Sequence, residues 1–164
     1  MRIRRAVPGD RAAIWSIIEP VIRAGESYAL DRDMAADEAL AYWLGPDKET
    51  FVAEEEGALL GTYYMRPNQA GGGRHVCNCG YMVSPAARGR GTAAALCRHS
   101  LELARQLGYR AMQFNFVVST NETAVRLWQK LGFSIVGRLP GAFNRPRLGD
   151  VDALVFYQDL TQPA

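Results

Sequence analysis

Two arginines alternate with two glycines at Arg88-Gly89-Arg90-Gly91, between an apolar run closed by Pro85 and the small-residue stretch TAAALC. Pro85 has no backbone N–H to donate, so it suits the point where strand pairing stops. Gly89 and Gly91 remove side chains where the backbone bends into a helix, and the first turn of that helix leaves N–H groups without intrahelical partners. Their dipole favours an anion there, and phosphate is the obvious one. A hydrogen bond to a charged acceptor contributes about 1.5–3 kcal/mol, whereas an exposed arginine contact often contributes under about 1 kcal/mol. The amides from residue 88 to Thr92 and Ala93 are thus expected to hold the anion, while Arg88 and Arg90 attract and orient it.

Three readings of this turn compete. It can be a solvated basic helix start. It can be a dinucleotide fingerprint, since Gly89-x-Gly91-x-x-Ala94 fits Gly-x-Gly-x-x-Ala, but the acid expected about 20 residues on is missing from QFNFVV. Or it can be a coenzyme pyrophosphate turn, the reading that the remainder of the chain favours.

Other polar residues break apolar surroundings. Asn78 and Asn115 each interrupt a strand-like run. A buried amide without partners costs about 1–3 kcal/mol, so each bonds either backbone, water or substrate. Glu26 lies in the polar stretch AGESYALDRD, either as a base acting through water or as an exposed loop carboxylate. Cys77 and Cys79 share a strand face and are locally too extended for a bridge; Cys97 reads as a small buried hydrophobe. With His75 and His99 as the two histidines and neither at ligand spacing, no metal site is expected. A formal net charge of +2 argues against nucleic acid as a partner. No stretch approaches the roughly 20 apolar residues of a membrane span, and the start MRIRRAVPGDRAAIW has no secretory signal, so a cytoplasmic location is expected.

Positioning these residues takes a definite order of elements. Residues 2–6 read as a strand. From Asp10, a candidate N-cap, Ile14, Ile17, Ile18, Val21 and Ile22 repeat at helical spacing, with Pro20 expected to kink or split the helix. A second helix is expected near 35–44. Then TFVAEE and ALLGTYYM form a hairpin at Glu56-Gly57, a glycine cluster at 71–73 marks a loop, and HVCNCGYMV is a strand. The helix after the quoted turn stops at Gly108; MQFNFVV is a strand; STNETAVRLWQKLGF is a helix capped by Ser119, Thr120 or Asn121. Strands near 133–139 and 151–159 follow, with PGAFNRPRLGD as a loop between them. One strand-helix-strand unit inside an otherwise antiparallel set predicts an α/β (α+β) fold: one mixed, mostly antiparallel sheet flanked by helices, over a single domain of residues 1–164.

Two of these segments carry a resemblance. Val83-x-Pro85-x-x-Arg88-Gly89-x-Gly91-x-Ala93 resembles the pyrophosphate motif of the GCN5-related N-acetyltransferases (GNAT). Asn121, Ala124, Leu127, Trp128, Lys130, Gly132 and Phe133 resemble that family's second signature at the expected distance downstream. The resemblance implies a GNAT fold with splayed parallel central strands, acetyl-CoA as donor, no metal, and a small-molecule amine as acceptor attacked directly in a ternary complex. It implies that the pantetheine arm runs beside the strand ending at Met82 and Val83, that the pyrophosphate sits at residues 88–93, and that a backbone N–H near Val83 faces the thioester carbonyl. Many relatives carry tyrosine as acid where this chain has Trp128, and indole is no general acid; Trp128 is expected in the core. The run from FNFVVSTNETAVRLWQKLGF to VDALVFYQDL looks like the branch that acetylates L-azetidine-2-carboxylate and other proline analogues. There, asparagines matching Asn78 and Asn115 bind the amino-acid carboxylate, and one matching Asn121 lies near the cofactor. A homodimer is an inherited expectation. Protein N-terminal or lysine acetylation, and a non-catalytic cofactor-binding module, are the alternatives.

Overall fold

The structure, a computed structural model, describes residues 1–162. Seven strands form one sheet in the order β1-β2-β3-β4-β5-β7-β6. They are β1 (Arg2–Arg5), β2 (Glu49–Glu55), β3 (Ala58–Pro67), β4 (Val76–Val83), β5 (Ala111–Val118), β6 (Ser134–Arg145) and β7 (Gly149–Asp159). Four α-helices cover it: α1 (Arg11–Ala24), α2 (Ala36–Trp43), α3 (Thr92–Gln106) and α4 (Glu122–Lys130). Every strand contact is antiparallel except β4 with β5. No helix among the described residues is long and apolar enough to cross a membrane.

Period-2 alternation in the strands sorts the core into two layers. On one face Ile14, Ile17, Ile18 and Ile22 of α1, with Leu40 and Trp43 of α2, pack on Val52, Tyr64 and Met82. On the other, Leu96, Cys97 and Leu101 of α3 and Trp128 of α4 pack on Cys77, Cys79, Met112, Phe114 and Phe156. Each buried isoleucine or leucine contributes about 1.5–3 kcal/mol relative to exposure. Trp43 is fully buried and still satisfied, because its Nε1–H donates to Thr62 Oγ1 at 3.0 Å.

The local readings hold in most places. Glu56 and Gly57 turn the β2–β3 hairpin with φ of 51° and 80°, the backbone a two-residue turn demands. Gly108 leaves α3 with φ 83°. The differences have identifiable causes. Asp10 does not cap α1: a 3-10 turn over Pro8–Asp10 gives it helical backbone angles, and its carboxylate instead accepts from Val7 N–H at 2.8 Å and pairs with Arg4. That pairing holds the Asp10 carboxyl below its ordinary value. α1 runs unbroken through Pro20. The segment expected as a loop, PGAFNRPRLGD, is mostly paired strand: Phe143 to Arg145 face Val151 to Gly149, and Pro140 and Gly141 fall in an irregular stretch between Leu139 and Phe143. Asp152 bridges that stretch, accepting from Gly141 N–H and Arg138. Asn121 takes the α4 cap, accepting from Ala124 N–H at 3.3 Å.

Candidate active site

β4 and β5 pair at two rows, Val76 with Ala111 and Cys77 with Met112, and no further. Beyond Cys77 the strands part. The phase of the β3–β4 ladder then decides which peptides face the gap. Ser84 N–H donates to Leu60 C=O and Asn68 N–H to Val76 C=O, both at 2.8 Å, so even-numbered residues of β4 bond with β3. The peptides of Cys79, Tyr81 and Val83 therefore turn toward the gap. Met82 does not: its peptide belongs to β3 and its side chain is buried beneath α1.

At the outer end of the gap the chain makes its glycine turn. Gly89 and Gly91 have φ of 75° and 77°, and a Cβ on either would touch nothing within 4 Å. Left-handed backbone explains why glycine stands there, and the open space leaves room for a ligand to approach the main chain. Among the described residues, the N–H groups of Gly89, Gly91, Thr92, Ala93 and Ala94 have no protein acceptor; in this turn the contacts run from Arg88 and Arg90 back to Pro85 and Ala87, and from Ala95 to Gly91. Thr92 Oγ1 is buried and unpartnered beside them. Five free donors, an orphaned hydroxyl and a bend with no side chains fit a diphosphate. The two arginines differ. Arg90 is paired with Glu55, which also meets the N-terminal amine, while Arg88 is exposed and forms no ion pair among the described residues.

Across the sheet lies a second set of groups. Asn78 is buried, and its Nδ2 donates to Gln113 C=O at 2.9 Å, which bridges the strands just past their last main-chain pair. Asn115 is exposed; its Nδ2 donates to Asn68 Oδ1 at 2.7 Å and its Oδ1 accepts from Gln113 Nε2 at 2.9 Å. Alternation places Asn78, Gln113, Asn115 and Asn68 together on the face that carries α1 and α2. The sequence marked Asn78 and Asn115; Gln113 and Asn68 were missed, and their parity with the two marked asparagines is the signal that finds them. Glu26 is exposed and lies 3.5 Å from Arg145 at the tip of the β6–β7 hairpin. Asn121 lies at the start of α4, where its side-chain oxygen is engaged in the cap.

All three thiols are buried. Burial pushes Cys97 up to about 12 and Cys79 well above its ordinary value, so neither is a thiolate at neutral pH. Trp128 is 8% exposed and packs against Tyr81, Phe114 and Phe133, as core. Tyr28, which the sequence left unremarked in a polar loop, accepts from Tyr81 N–H at 2.7 Å and donates to Tyr81 C=O at 2.8 Å.

Residues 13–133 match the model of the acetyltransferase (GNAT) family. The N-acetyltransferase aca1 of Schizosaccharomyces pombe is 30% identical over 152 residues, covering 82% of this chain and 73% of that protein. Among solved structures, a GCN5-related N-acetyltransferase from Kribbella flavida superposes with a TM-score of 0.92 at 41% identity, covering 96% of each chain. The structure of yncA from Salmonella typhimurium with its cofactor acetyl-CoA superposes with a TM-score of 0.86 at 25% identity, covering all of this chain and 96% of the other.

Proposed function

The chain belongs to the GNAT family and is an acetyl-CoA-dependent N-acetyltransferase, and from that premise we propose that its acceptor is a small amine bearing a carboxylate, an amino acid or proline-like analogue. Acetyl-CoA supplies the activated acetyl group. The amides of Gly89, Gly91, Thr92, Ala93 and Ala94 and the Thr92 hydroxyl hold its diphosphate, with Arg88 drawing it in. Val83 turns its peptide N–H into the gap and meets the thioester carbonyl, where negative charge grows during attack. The acceptor enters from the opposite face, where Asn78, Gln113, Asn115 and Asn68 offer neutral amide donors to a carboxylate without adding fixed charge.

The amine attacks directly. No cysteine is needed to carry the acetyl group, since all three are buried, and the leaving thiol, with a cysteine-like reference value near 8.5, departs without an acid from Trp128. An α-amino group with a reference value of about 7.7–8.0 needs little help to lose its proton, which suits a site whose one candidate base, Glu26, is exposed and close to Arg145.

The observation that carries this reading is the division of labour across one gap: uncapped donors on the α3 side, an amide cluster on the α1–α2 side. A mass-spectrometric screen with acetyl-CoA against free amino acids, proline analogues, polyamines and peptides tests it. Acetylation of carboxylate-bearing amines ahead of their carboxamides is expected. Modification confined to peptides or polyamines would contradict it.

A further inference from the structure

The loop between α1 and α2 is built to deliver one hydroxyl. Gly25 ends α1 in the left-handed conformation, with φ 63°, against the stem of Arg32, and Arg32 Nε donates back to Arg23 C=O at 2.8 Å. Arg23 in turn donates to Arg32 C=O, so the loop is clasped at its base. From it Tyr28 reaches β4, with its ring edge-on to Trp43 at 6.1 Å between centroids. Its Oη both accepts from Tyr81 N–H and donates to Tyr81 C=O. These are the two bonds a neighbouring strand would make. Burial raises the phenol well above its ordinary value, so it stays neutral and can do both.

A ligand that follows β4 inward from the glycine turn meets the Val83 peptide first. The next peptide facing the gap, Tyr81, is already engaged. We propose that Tyr28 is the inner stop of the donor cleft and the determinant of acyl-chain length: it leaves Val83 as the last β4 peptide open to the cofactor and closes the space that a longer acyl group would need. This inference rests on the cofactor assignment above.

The test uses calorimetric affinities for CoA, acetyl-CoA and butyryl-CoA, with residue-resolved amide exchange. Wild-type protein should bind acetyl-CoA about tenfold or more tighter than butyryl-CoA, because extra methylenes in a filled site force strain. Tyr28→Ala should bring that ratio to within about twofold while CoA affinity stays within about threefold of wild type. Tyr28→Phe keeps the ring and decides the matter should the alanine variant fail to fold. It should expose the Tyr81 amide to exchange in the presence and absence of ligand, while acetyl-CoA still protects the Val83 amide. An unchanged acetyl-to-butyryl ratio in a folded Tyr28→Ala protein would overturn the proposal. So would acetyl-CoA releasing Tyr28 from Tyr81 in wild type, seen as loss of Tyr81 protection or a shift of the Tyr28 ring resonances. Wild-type protein that binds no CoA at all would instead remove the cofactor assignment itself.

Discussion

The two helices that flank the gap begin in opposite ways. α4 is closed by its own sequence: Asn121 accepts from Ala124 N–H, and Glu122 places a negative charge in the first turn. α3 has no side-chain cap and no acid in its first turn; Gly91 stands at the N-cap, and two arginines precede the helix. Both ends have the same unmet amides and the same dipole. One is satisfied from within the chain, whereas the other is left without a protein acceptor. The difference teaches that the α3 turn gives up stability that a capping side chain would have supplied, which under the proposed function is recovered when a diphosphate binds.

Making α3 resemble α4 should have the largest effect. Gly91→Asp sets a carboxylate against the diphosphate and forces a side chain onto backbone with φ 77°. CoA affinity is expected to fall by about 100-fold, the loss of one or two charge-assisted bonds. Calorimetry measures it. Making α4 resemble α3 should be milder and of another kind: Asn121→Ala should cost about 1 kcal/mol in urea denaturation while CoA affinity stays within about threefold, since its acceptor oxygen serves the helix. Arg88→Ala should weaken CoA about threefold to fivefold, an exposed contact's worth, and less at high salt. Arg90→Ala should weaken it by less than about twofold, because Glu55 already holds that guanidinium.

A smaller effect separates the integrity of α3 from its anion. His99 on α3 is half-buried with Nδ1 2.8 Å from Tyr63 Oη, and burial lowers its ordinary value. The folded protein therefore takes up that proton less readily than the unfolded chain. Its contribution to stability is whole above about pH 6.5 and declines as the pH falls below it. Melting temperatures at pH 8 and pH 5.5 should show that decline, and His99→Gln should flatten it.

What the sequence revealed follows the reach of each signal. The α3 turn was legible because its instructions are local: a proline that ends pairing, two glycines on left-handed backbone and a helix after them. Asn78 and Asn115 were legible as polar residues because each interrupts a strand-like apolar run, a signal local to its own segment; that they share a face follows from the β4–β5 register, which is not local. The cap of α4 lay open among three residues, since Ser119, Thr120 and Asn121 all suit the position and only the backbone path selects between them. The β6–β7 hairpin was read short because Pro140, Gly141 and Pro146 look like loop residues; pairing with β7, 14 residues on from Arg138 at Asp152, overrides that preference. Tyr28 was invisible for the same reason in stronger form. Nothing near it in the chain says that its hydroxyl meets a peptide 53 residues away.

The most direct trial of the account is a nitrogen-15 NMR titration of the protein with CoA, set beside one with pantetheine, which lacks the diphosphate. CoA should shift the amide resonances of Gly89, Gly91, Thr92, Ala93 and Ala94 downfield and slow their exchange, and pantetheine should leave them where they were. CoA binding that leaves those five amides unmoved, with its perturbations elsewhere, would contradict it.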